Sequence, residues 1–282
     1  MTSYAFRIIN VFAEERLAGN PLAVFEDGSG LDDATMQALA LQFNLSETTF
    51  ILPSTRATAR VRIFTPMFEM PFAGHPTLGT AHVVRALKGG DAVTLEMRAG
   101  VIPVRASSDE WTLQANAPRT RAVTASRDEL AAMLGLVASD IGSEPLFVDT
   151  GSEQLLVPLA SVAAVRRCQP NADLLVKHGS VALAGGSRAM AYIWAEVAPD
   201  GVLARFFFPK HGAIVEDPGT GSACANLGGW LVATGAPRPR TLTIAQGEAV
   251  GRRCRLRLTV DAEGGIFVSG RVIELGRGTI TL

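Results

Sequence analysis

The stretch EDPGTGSACANLGGW, residues 216–230, places a glycine-rich turn directly before an uncharged segment that contains a cysteine. No charged residue occurs from Pro218 to Pro237. The segment could form a membrane span, a phosphate-binding loop, or a helix that begins near a catalytic cysteine. A membrane span needs about 20 predominantly apolar residues, and the many glycines and polar residues here exclude it. We therefore expect a helix that is buried on all sides within a domain.

A similar arrangement occurs in the other half of the chain. RIFTP (62–66) and RFFFP (205–209) both have Arg, then Phe two residues later and Pro four residues later. Each is followed by a glycine-rich turn and an apolar helix, beginning at AGHPTLG (73–79) and PGTGSAC (218–224). Two copies of one long pattern indicate a duplicated domain rather than a solenoid. The sequence therefore predicts two similar domains, each with an inner apolar helix.

The remaining pattern predicts short strands and amphipathic outer helices. In the first half, alternating or apolar segments predict strands at 5–12, 21–25, 48–52, 59–66, 93–97 and 111–115. LDDATMQALALQFN has helical spacing, with Asp32 in position to cap it. Ser126 and Glu129 have the spacing of a capping box at the start of a second outer helix. A linker between the two halves of the chain is expected near residues 115–125, just before this helix.

Composition narrows the class of protein. Of the 282 residues, 48% are apolar and 19% are charged, which indicates a globular core rather than disorder. The 26 basic residues are nearly balanced by 27 acidic ones and are not clustered into a basic block, so nucleic-acid binding is not expected. Three scattered cysteines without a CxxC pair predict neither a disulfide framework nor a metal site. The N-terminus begins as a strand with early charges, so we expect no membrane association and a cytoplasmic location.

The two glycine-rich turns predict an anion-binding site. A helix N-terminus exposes unpaired N–H groups and carries about half a positive charge, and a preceding glycine lets an anion approach the backbone. Neither turn matches a Walker A motif or a dinucleotide fingerprint. Two such helix starts facing one cleft would bind a small anionic metabolite without a cofactor. Either turn alone is weak support, since glycines often serve only as sharp turns.

Several side chains beside these turns are candidates for acid/base chemistry. His75 lies between Gly74 and Pro76, and a capping role and a catalytic role are equally open for it. Asp217 occupies the matching place in the second half, where a capping carboxylate is common. Glu47, in NLSETTFI, would not be selected by position alone. Cys224 lies inside the apolar helix, where free cysteine usually packs as a small hydrophobic residue.

Four segments together resemble the PhzF family, the phenazine-biosynthesis-like proteins: NVFAEERLAGNPLAVF, NLSETTFI, MPFAGHPTLGTAHVV and EDPGTGSA. The resemblance implies an α+β fold of the diaminopimelate epimerase type. Two pseudo-symmetric domains would each wrap a curved, barrel-like sheet around a central helix, at 75–88 and 221–234. The expected domains are 1–118, with the C-terminal strands 265–282 added to it, and 119–264, with the active site between them.

The same resemblance implies roles for particular residues. Glu47, His75 and Asp217 would be catalytic, with Glu47 as the acid/base. The substrate-binding residues would be Gly74, Thr77, Gly219, Thr220, Gly221 and Ser222. Related epimerases use one cysteine at each helix start, and this chain has Ala73 and Pro218 there, which excludes two-cysteine chemistry.

These residues together predict a function. We expect a cofactor-independent isomerase that shifts a proton on a small carboxylate-bearing metabolite, with glutamate as the acid/base. The resemblance also implies a homodimer. The alternative is a protein that binds a small acid without converting it, as a sensor or carrier.

Overall fold

The computed structural model describes residues 1–183 and 186–282, which form two compact units. The first unit contains Met1–Gln114 and Ser269–Leu282, and the second contains Ala115–Val268. The boundaries expected from the sequence, after residues 118 and 264, lie a few residues away from these.

The first unit is built on a closed ring of eight strands around one helix. Its order along the ring is β1 (Ser3–Val11), β2 (Asn20–Phe25), β3 (Glu47–Leu52), β4 (Ala59–Phe64), β6 (Ala92–Met97), β7 (Gly100–Ser107), β8 (Glu110–Gln114) and β19 (Ile266–Thr281). The ring closes because β19 pairs with both β8 and β1, the latter from Ser3↔Thr281 to Val11↔Val272. The two-residue strand β5 (Glu69–Met70) pairs with β4.

Helix α2 (Gly74–Lys88) is the central helix of this unit and contacts strands on several sides of the ring. The strands approach it closely at Gly79. A Cβ atom there would lie 2.7–2.8 Å from side-chain atoms of Ile9, Val11 and Leu22. The helix ends at Lys88, and its C-cap Gly89 donates its backbone N–H to the Arg85 carbonyl.

Helix α1 (Asp33–Phe43) packs on the outside through Met36, Leu39 and Ala40. The Asp32 carboxylate accepts a hydrogen bond from the Thr35 amide at 2.8 Å, so the predicted cap is confirmed.

The second unit also surrounds one helix with strands. Its strands are β9 (Arg119–Ala122), β10 (Leu146–Asp149), β11 (Gln154–Pro158), β12 (Ser180–Leu183), β13 (Gly186–Ala189), β14 (Ala191–Ala198), β15 (Gly201–Lys210), β16 (Ala213–Asp217), β17 (Arg240–Gln246) and β18 (Cys254–Val260). Pairing runs β9–β10–β11–β14–β15–β17–β18, with β16 paired to β15. β12 and β13 pair antiparallel in a separate two-stranded sheet.

Helix α6 (Gly221–Ala233) is the central helix of this unit and contacts β9, β10, β11 and β18. Helices α3 (Arg127–Leu134), α4 (Val162–Arg167) and α5 (Ala172–Gly179) pack outside, and a short 3₁₀ helix spans Ala138–Asp140. The capping box of Ser126 and Glu129 is present at the start of α3. One inner helix per unit, enclosed by strands, confirms the predicted α+β fold class.

The expected linker at 115–125 begins where the first unit gives way to the second along the chain, but its middle forms strand β9 instead of irregular structure. This strand pairs antiparallel with β10, from Arg119↔Asp149 to Ala122↔Leu146. All four of its residues are exposed, so it lacks the apolar alternation that identifies a strand in a sequence. Pairing with β10 and the stacking of the Arg121 guanidinium 3.8 Å from the Phe147 ring centroid hold it in place instead.

The sequence repeat corresponds to a repeated local structure. In the first unit, the Arg62 guanidinium donates to both oxygens of Glu69 at 2.8 and 2.7 Å, and lies 5.0 Å from the Phe64 ring centroid. In the second, Arg205 donates to Glu216 at 2.7 Å and lies 4.7 Å from the Phe207 ring. Each ion pair joins the two strands of the hairpin that precedes the central helix.

Within residues 1–183 and 186–282, no helix is both long enough and apolar enough to span a membrane.

Candidate active site

The predicted site residues fall into two groups, one at the start of each central helix. Helix α2 begins after Ala73, whose backbone is extended, and α6 begins after Thr220. Both helices lie wholly within the described residues, and in neither does the side chain of the N-cap residue hydrogen-bond to the helix. The first-turn N–H groups are therefore not satisfied by an N-cap side chain, which is the condition that favours anion binding at a helix start.

In the first unit, the fold brings Glu47 and His75 together. Glu47 is the first residue of β3, which runs parallel to β2 with Glu47 opposite Leu22. His75 is the second residue of α2, the helix inside the ring. The Glu47 Oε2 and His75 Nε2 atoms are 3.5 Å apart, and their side chains are 15% and 5% exposed. A carboxylate and an imidazole from distant segments thus form a largely buried pair.

The imidazole of His75 is held in its neutral form. Burial lowers the pKa of His75 to about 3, and a hydrogen bond with the Pro21 carbonyl opposes this only in part. Asn20 Nδ2 lies 3.3 Å from His75 Nδ1, and Asn20 is itself fully buried. A neutral ring beside Glu47 can donate or accept a hydrogen bond without adding charge.

The depressed pKa of His75 predicts a measurable loss of stability in acid. Between about pH 6.5 and pH 3 the unfolded chain binds a proton that the folded chain does not, so the free energy of unfolding falls as the pH falls. From about pH 7 to pH 5 this group should remove about 2 kcal/mol. In His75→Gln this contribution is absent, so the stability difference between wild type and variant should shrink by that amount.

Urea unfolding of both proteins at the two pH values measures this difference. The exposed-loop variant His211→Gln is the control for losing a histidine, since His211 is exposed in the turn that joins β15 and β16. An unchanged stability difference between wild type and His75→Gln at the two pH values would show that His75 is not held neutral.

The two other predicted residues of this group lie in the first turn of α2. Gly74 is buried as the first residue of the helix. Thr77 is fully buried, and its hydroxyl donates to the Ala73 carbonyl at 2.6 Å and lies 3.6 Å from Met97 Sδ. These contacts fasten the helix start, and the predicted substrate-binding role of Thr77 stays a prediction.

In the second unit, a buried glutamine holds the turn that carries Asp217. The Thr220 hydroxyl donates to Asp217 Oδ2. Gln246, at the end of β17 and 1% exposed, accepts from the Thr220 amide at 3.2 Å. It also donates to the Asp217 carbonyl at 2.8 Å and to the Thr220 hydroxyl at 3.0 Å. Gln246 therefore ties the end of β16 to the start of α6.

Ser222 lies one residue further, in the first turn of α6, and is partly exposed. Its hydroxyl accepts a hydrogen bond from Gln154 Nε2 at 3.0 Å. Gly219 and Gly221, on either side of Thr220, are buried. The turn from Asp217 to Ser222 thus combines a carboxylate, a hydroxyl and backbone amides within six consecutive residues.

Sequence reasoning missed Asn20, Gln154 and Gln246. Asn20 and Gln154 are first residues of strands and Gln246 is a last one. A polar residue at a strand end is usually solvated, so its position carries no signal. The side chains of all three are nevertheless buried against the residues that the sequence did identify.

Other side chains near the site have ordinary roles. Cys224 is fully buried, and burial raises the pKa of its thiol above the usual value, which confirms that it packs as an apolar residue. Trp111 and Trp194 are core residues, whereas Trp230 is only partly buried and donates to the Glu144 carbonyl. Within residues 1–183 and 186–282 no group of three or more His, Cys, Asp or Glu side chains is arranged to bind a metal ion.

Comparison with known proteins gives the family. The phenazine biosynthesis-like proteins (PhzC-PhzF) match residues 9–273. The chain belongs to this family. An uncharacterized isomerase of Pasteurella multocida is 40% identical, over 99% of this chain and 95% of the relative. The trans-2,3-dihydro-3-hydroxyanthranilate isomerase of Pseudomonas aeruginosa is 35% identical, over 98% of each chain.

The fold agrees with that of solved members. The crystal structure of a Bacillus anthracis phenazine biosynthesis protein of the PhzF family superposes with a TM-score of 0.84 over 100% of both chains, at 23% identity. The predicted family and fold are therefore confirmed. The relatives also confirm that this protein is an isomerase.

Proposed function

We propose that this protein is a cofactor-independent isomerase that shifts a proton between atoms of a small carboxylate-bearing metabolite, with Glu47 as the acid/base. The observation that carries the proposal is the buried pair of Glu47 and His75, with 3.5 Å between Glu47 Oε2 and His75 Nε2. A general base must be a group that can accept a proton and return it. Glu47 is the ionisable group of this pair, because His75 stays neutral across the physiological range.

The proposed reaction uses one carboxylate for both proton transfers. Glu47 removes a proton from an activated carbon and returns it at a nearby atom of the same molecule. In related epimerases, two cysteines, one at each helix start, act from opposite faces of the substrate. This chain has Ala73 and Pro218 at those positions. A single group on one face suits a shift within one substrate, and it does not suit inversion at one carbon. His75 orients the carboxylate and the substrate through neutral hydrogen bonds.

The turn from Asp217 to Ser222 is proposed to bind the substrate. The Ser222 hydroxyl and the amides of the α6 start suit a carboxylate or carbonyl oxygen, because unpaired N–H groups and the helix dipole favour negative charge. The Asp217 carboxylate suits a donor on the substrate, such as a hydroxyl or amino group. A substrate that carries both kinds of group satisfies the whole turn.

The substrate class follows from this chemistry and from the relatives. The Pseudomonas aeruginosa relative is named for its action on trans-2,3-dihydro-3-hydroxyanthranilate, a compound with a carboxylate, an amino group and a hydroxyl. These groups match the acceptor and donors that the turn would bind. We therefore propose this compound, or a close cyclic analogue, as the substrate to test first.

Incubation of the purified protein with trans-2,3-dihydro-3-hydroxyanthranilate in D₂O tests the proposal. We expect an isomeric product by NMR, with a carbon-bound proton that has moved or been replaced by deuterium. A protein that only binds small acids would retain the ligand, as calorimetry would show, with every carbon-bound proton in place. Binding without any such change, for this compound and its cyclic analogues, would contradict the isomerase proposal in favour of a sensor or carrier.

The predicted homodimer is part of the same proposal. Sedimentation equilibrium of the purified protein at several concentrations gives its oligomeric state directly. We also propose that it acts in the cytoplasm, without nucleic-acid or membrane partners.

A further inference from the structure

A chain of buried hydrogen bonds leads from the backbone of the second unit to Ser222. Asn226, which is fully buried on α6, accepts at Oδ1 from the Thr150 amide at 2.9 Å and from the Thr150 hydroxyl at 2.7 Å. Its Nδ2 donates to the Ser152 carbonyl at 2.8 Å and to Gln154 Oε1 at 2.9 Å. Gln154, which is 2% exposed, then donates from Nε2 to Ser222 Oγ at 3.0 Å.

The backbone decides the direction of every bond in this chain. A backbone N–H can only donate and a backbone carbonyl can only accept. The Thr150 amide therefore requires the oxygen of the Asn226 amide on its side, and the Ser152 carbonyl requires the nitrogen on the other. With Asn226 Nδ2 facing it, Gln154 must present its own oxygen to Asn226 and its nitrogen to Ser222. The orientation of Gln154 is thus set by two backbone groups that cannot reverse.

The fixed orientation of Gln154 determines how the Ser222 hydroxyl can hydrogen-bond to a ligand. A hydroxyl has one hydrogen to donate and two acceptor lone pairs. Gln154 occupies an acceptor position and supplies no acceptor for the hydrogen. Among the described residues, Gln154 is the hydrogen-bond partner that the structure shows for this side chain. Ser222 is partly exposed, so its hydrogen is free to point away from Gln154 toward a ligand.

We infer that Gln154 is a positioning residue that makes Ser222 a hydrogen-bond donor, so that the substrate presents an acceptor oxygen to Ser222. This inference rests on the proposed function and specifies the group that the turn selects. A carboxylate or carbonyl oxygen accepts the Ser222 hydrogen and is favoured there, whereas an ammonium group offers no acceptor for that hydrogen and is disfavoured. The preference follows because a group without an acceptor leaves the Ser222 hydrogen unpaired in the bound complex.

The neighbouring turn has the same design with a second glutamine. The Thr220 amide requires the oxygen of Gln246, so Gln246 Nε2 donates to the Thr220 hydroxyl. The Thr220 hydrogen is then directed to Asp217 Oδ2. Gln246 thereby keeps Asp217 an acceptor, while Gln154 keeps Ser222 a donor. Asp217 and Ser222, at the two ends of this six-residue turn, therefore have opposite hydrogen-bonding characters.

Three variants separate this role from a structural one: Ser222→Ala, Gln154→Glu and Gln154→Met. At about pH 8 the introduced glutamate is ionised; it still accepts from Asn226 and now accepts the Ser222 hydrogen as well, which withdraws the donor from the substrate. Methionine breaks both hydrogen bonds of Gln154 but leaves the Ser222 hydrogen free to reach the substrate. The exposed substitution Gln169→Glu in the same unit controls for the added charge.

Steady-state kinetics on trans-2,3-dihydro-3-hydroxyanthranilate then give KM and kcat for each variant. We expect KM to rise about tenfold to a hundredfold in Ser222→Ala and in Gln154→Glu, which is the loss of one hydrogen bond to a charged group, with a much smaller rise in Gln154→Met. Because this contact binds the ground state and the transition state alike, kcat should change little. The thermal stabilities should rank differently from the KM values: Gln154→Met, which loses both hydrogen bonds of Gln154, should be less stable than Gln154→Glu.

The pH dependence and the double variant complete the test. As the pH falls and the introduced carboxyl is protonated, it donates to Ser222 as the amide does, so the KM of Gln154→Glu should return toward wild type. In Ser222→Ala, adding Gln154→Glu should raise KM only slightly.

Two results would overturn the inference: an unchanged KM in Ser222→Ala or Gln154→Glu, or fully additive effects in the double variant, which indicate charge repulsion alone. If wild type converts the compound and one of these results is found, only the inference fails. If wild type converts neither the compound nor its analogues, the proposed function fails and the inference fails with it.

Discussion

Glu47→Gln should abolish turnover while leaving the fold intact. Glutamine has nearly the shape of glutamate and keeps an oxygen that accepts hydrogen bonds, but its amide cannot take a proton and return it. The loss of a general acid/base typically costs a factor of about 10² to 10⁴ in rate. The free energy of unfolding should change by less than about 1 kcal/mol, because His75 is neutral and forms a hydrogen-bonding rather than an ionic contact with this side chain.

Turnover and deuterium incorporation at carbon measure the first effect, and urea unfolding measures the second. Glu96→Gln is the matched control. Its side chain is 22% exposed, against 15% for Glu47, and it also lies on a strand of the first unit, where it accepts from Ser54. That variant should keep wild-type turnover. Wild-type turnover in a folded Glu47→Gln protein would remove Glu47 as the acid/base.

Gly247→Ala should destabilise the protein by about 3–5 kcal/mol, the largest effect on stability that we expect from one methyl group. Gly247 follows Gln246 and has a φ of +81°, in the left-handed region. A Cβ atom there would lie 2.2 Å from the Arg252 carbonyl oxygen and 2.6 Å from that of Pro218. Both are backbone atoms, so a side-chain rotation cannot relieve the overlap.

Gly251 provides the control in the same loop between β17 and β18. It also has a positive φ, +67°, but a Cβ atom there would meet nothing within 4 Å. Gly251→Ala therefore isolates the conformational cost of a left-handed alanine, about 1 kcal/mol. The difference between the two variants, from urea unfolding, is the cost of the overlap. Equal destabilisation by Gly247→Ala and Gly251→Ala would show that the Arg252 and Pro218 carbonyls do not constrain Gly247.

Gly247→Ala should also weaken activity if any folded protein is recovered. The overlap with the Pro218 carbonyl pushes on the turn between Asp217 and Thr220, which Gln246 holds through three hydrogen bonds. A shift of that turn moves the predicted substrate-binding residues. Gly251→Ala should retain full activity.

Local rules predicted the elements with the strongest local signals. The two inner helices were recognisable because an uncharged segment after a glycine-rich turn can be stable only when it is enclosed by protein. The caps at Asp32 and Ser126 depend on residues three positions apart and formed as predicted. Strand β9 failed the same rules because its four residues are exposed, so its pairing with β10 is a tertiary effect that leaves no periodic pattern.

The site shows the same division. Residues adjacent to the helix starts, such as His75 and Asp217, were selected from the sequence because a helix N-terminus is visible there. Glu47 was selected only through resemblance to a family, since a glutamate before an apolar strand is usually solvated. The structure supplies the physical reason: β3 begins beside the start of α2, which places Glu47 3.5 Å from His75.

The sequence by itself determined the duplicated architecture, the two inner helices and the absence of cysteine at both helix starts, because each depends on residues that are neighbours in the chain. Only the tertiary structure decided which polar groups meet. Gln154 contacts Ser222, and Gln246 contacts Thr220, across many residues of sequence. The directions of these hydrogen bonds follow from backbone groups of other strands and turns. Such groups come together only when the sheet has closed around the helix, which is why no local pattern records them.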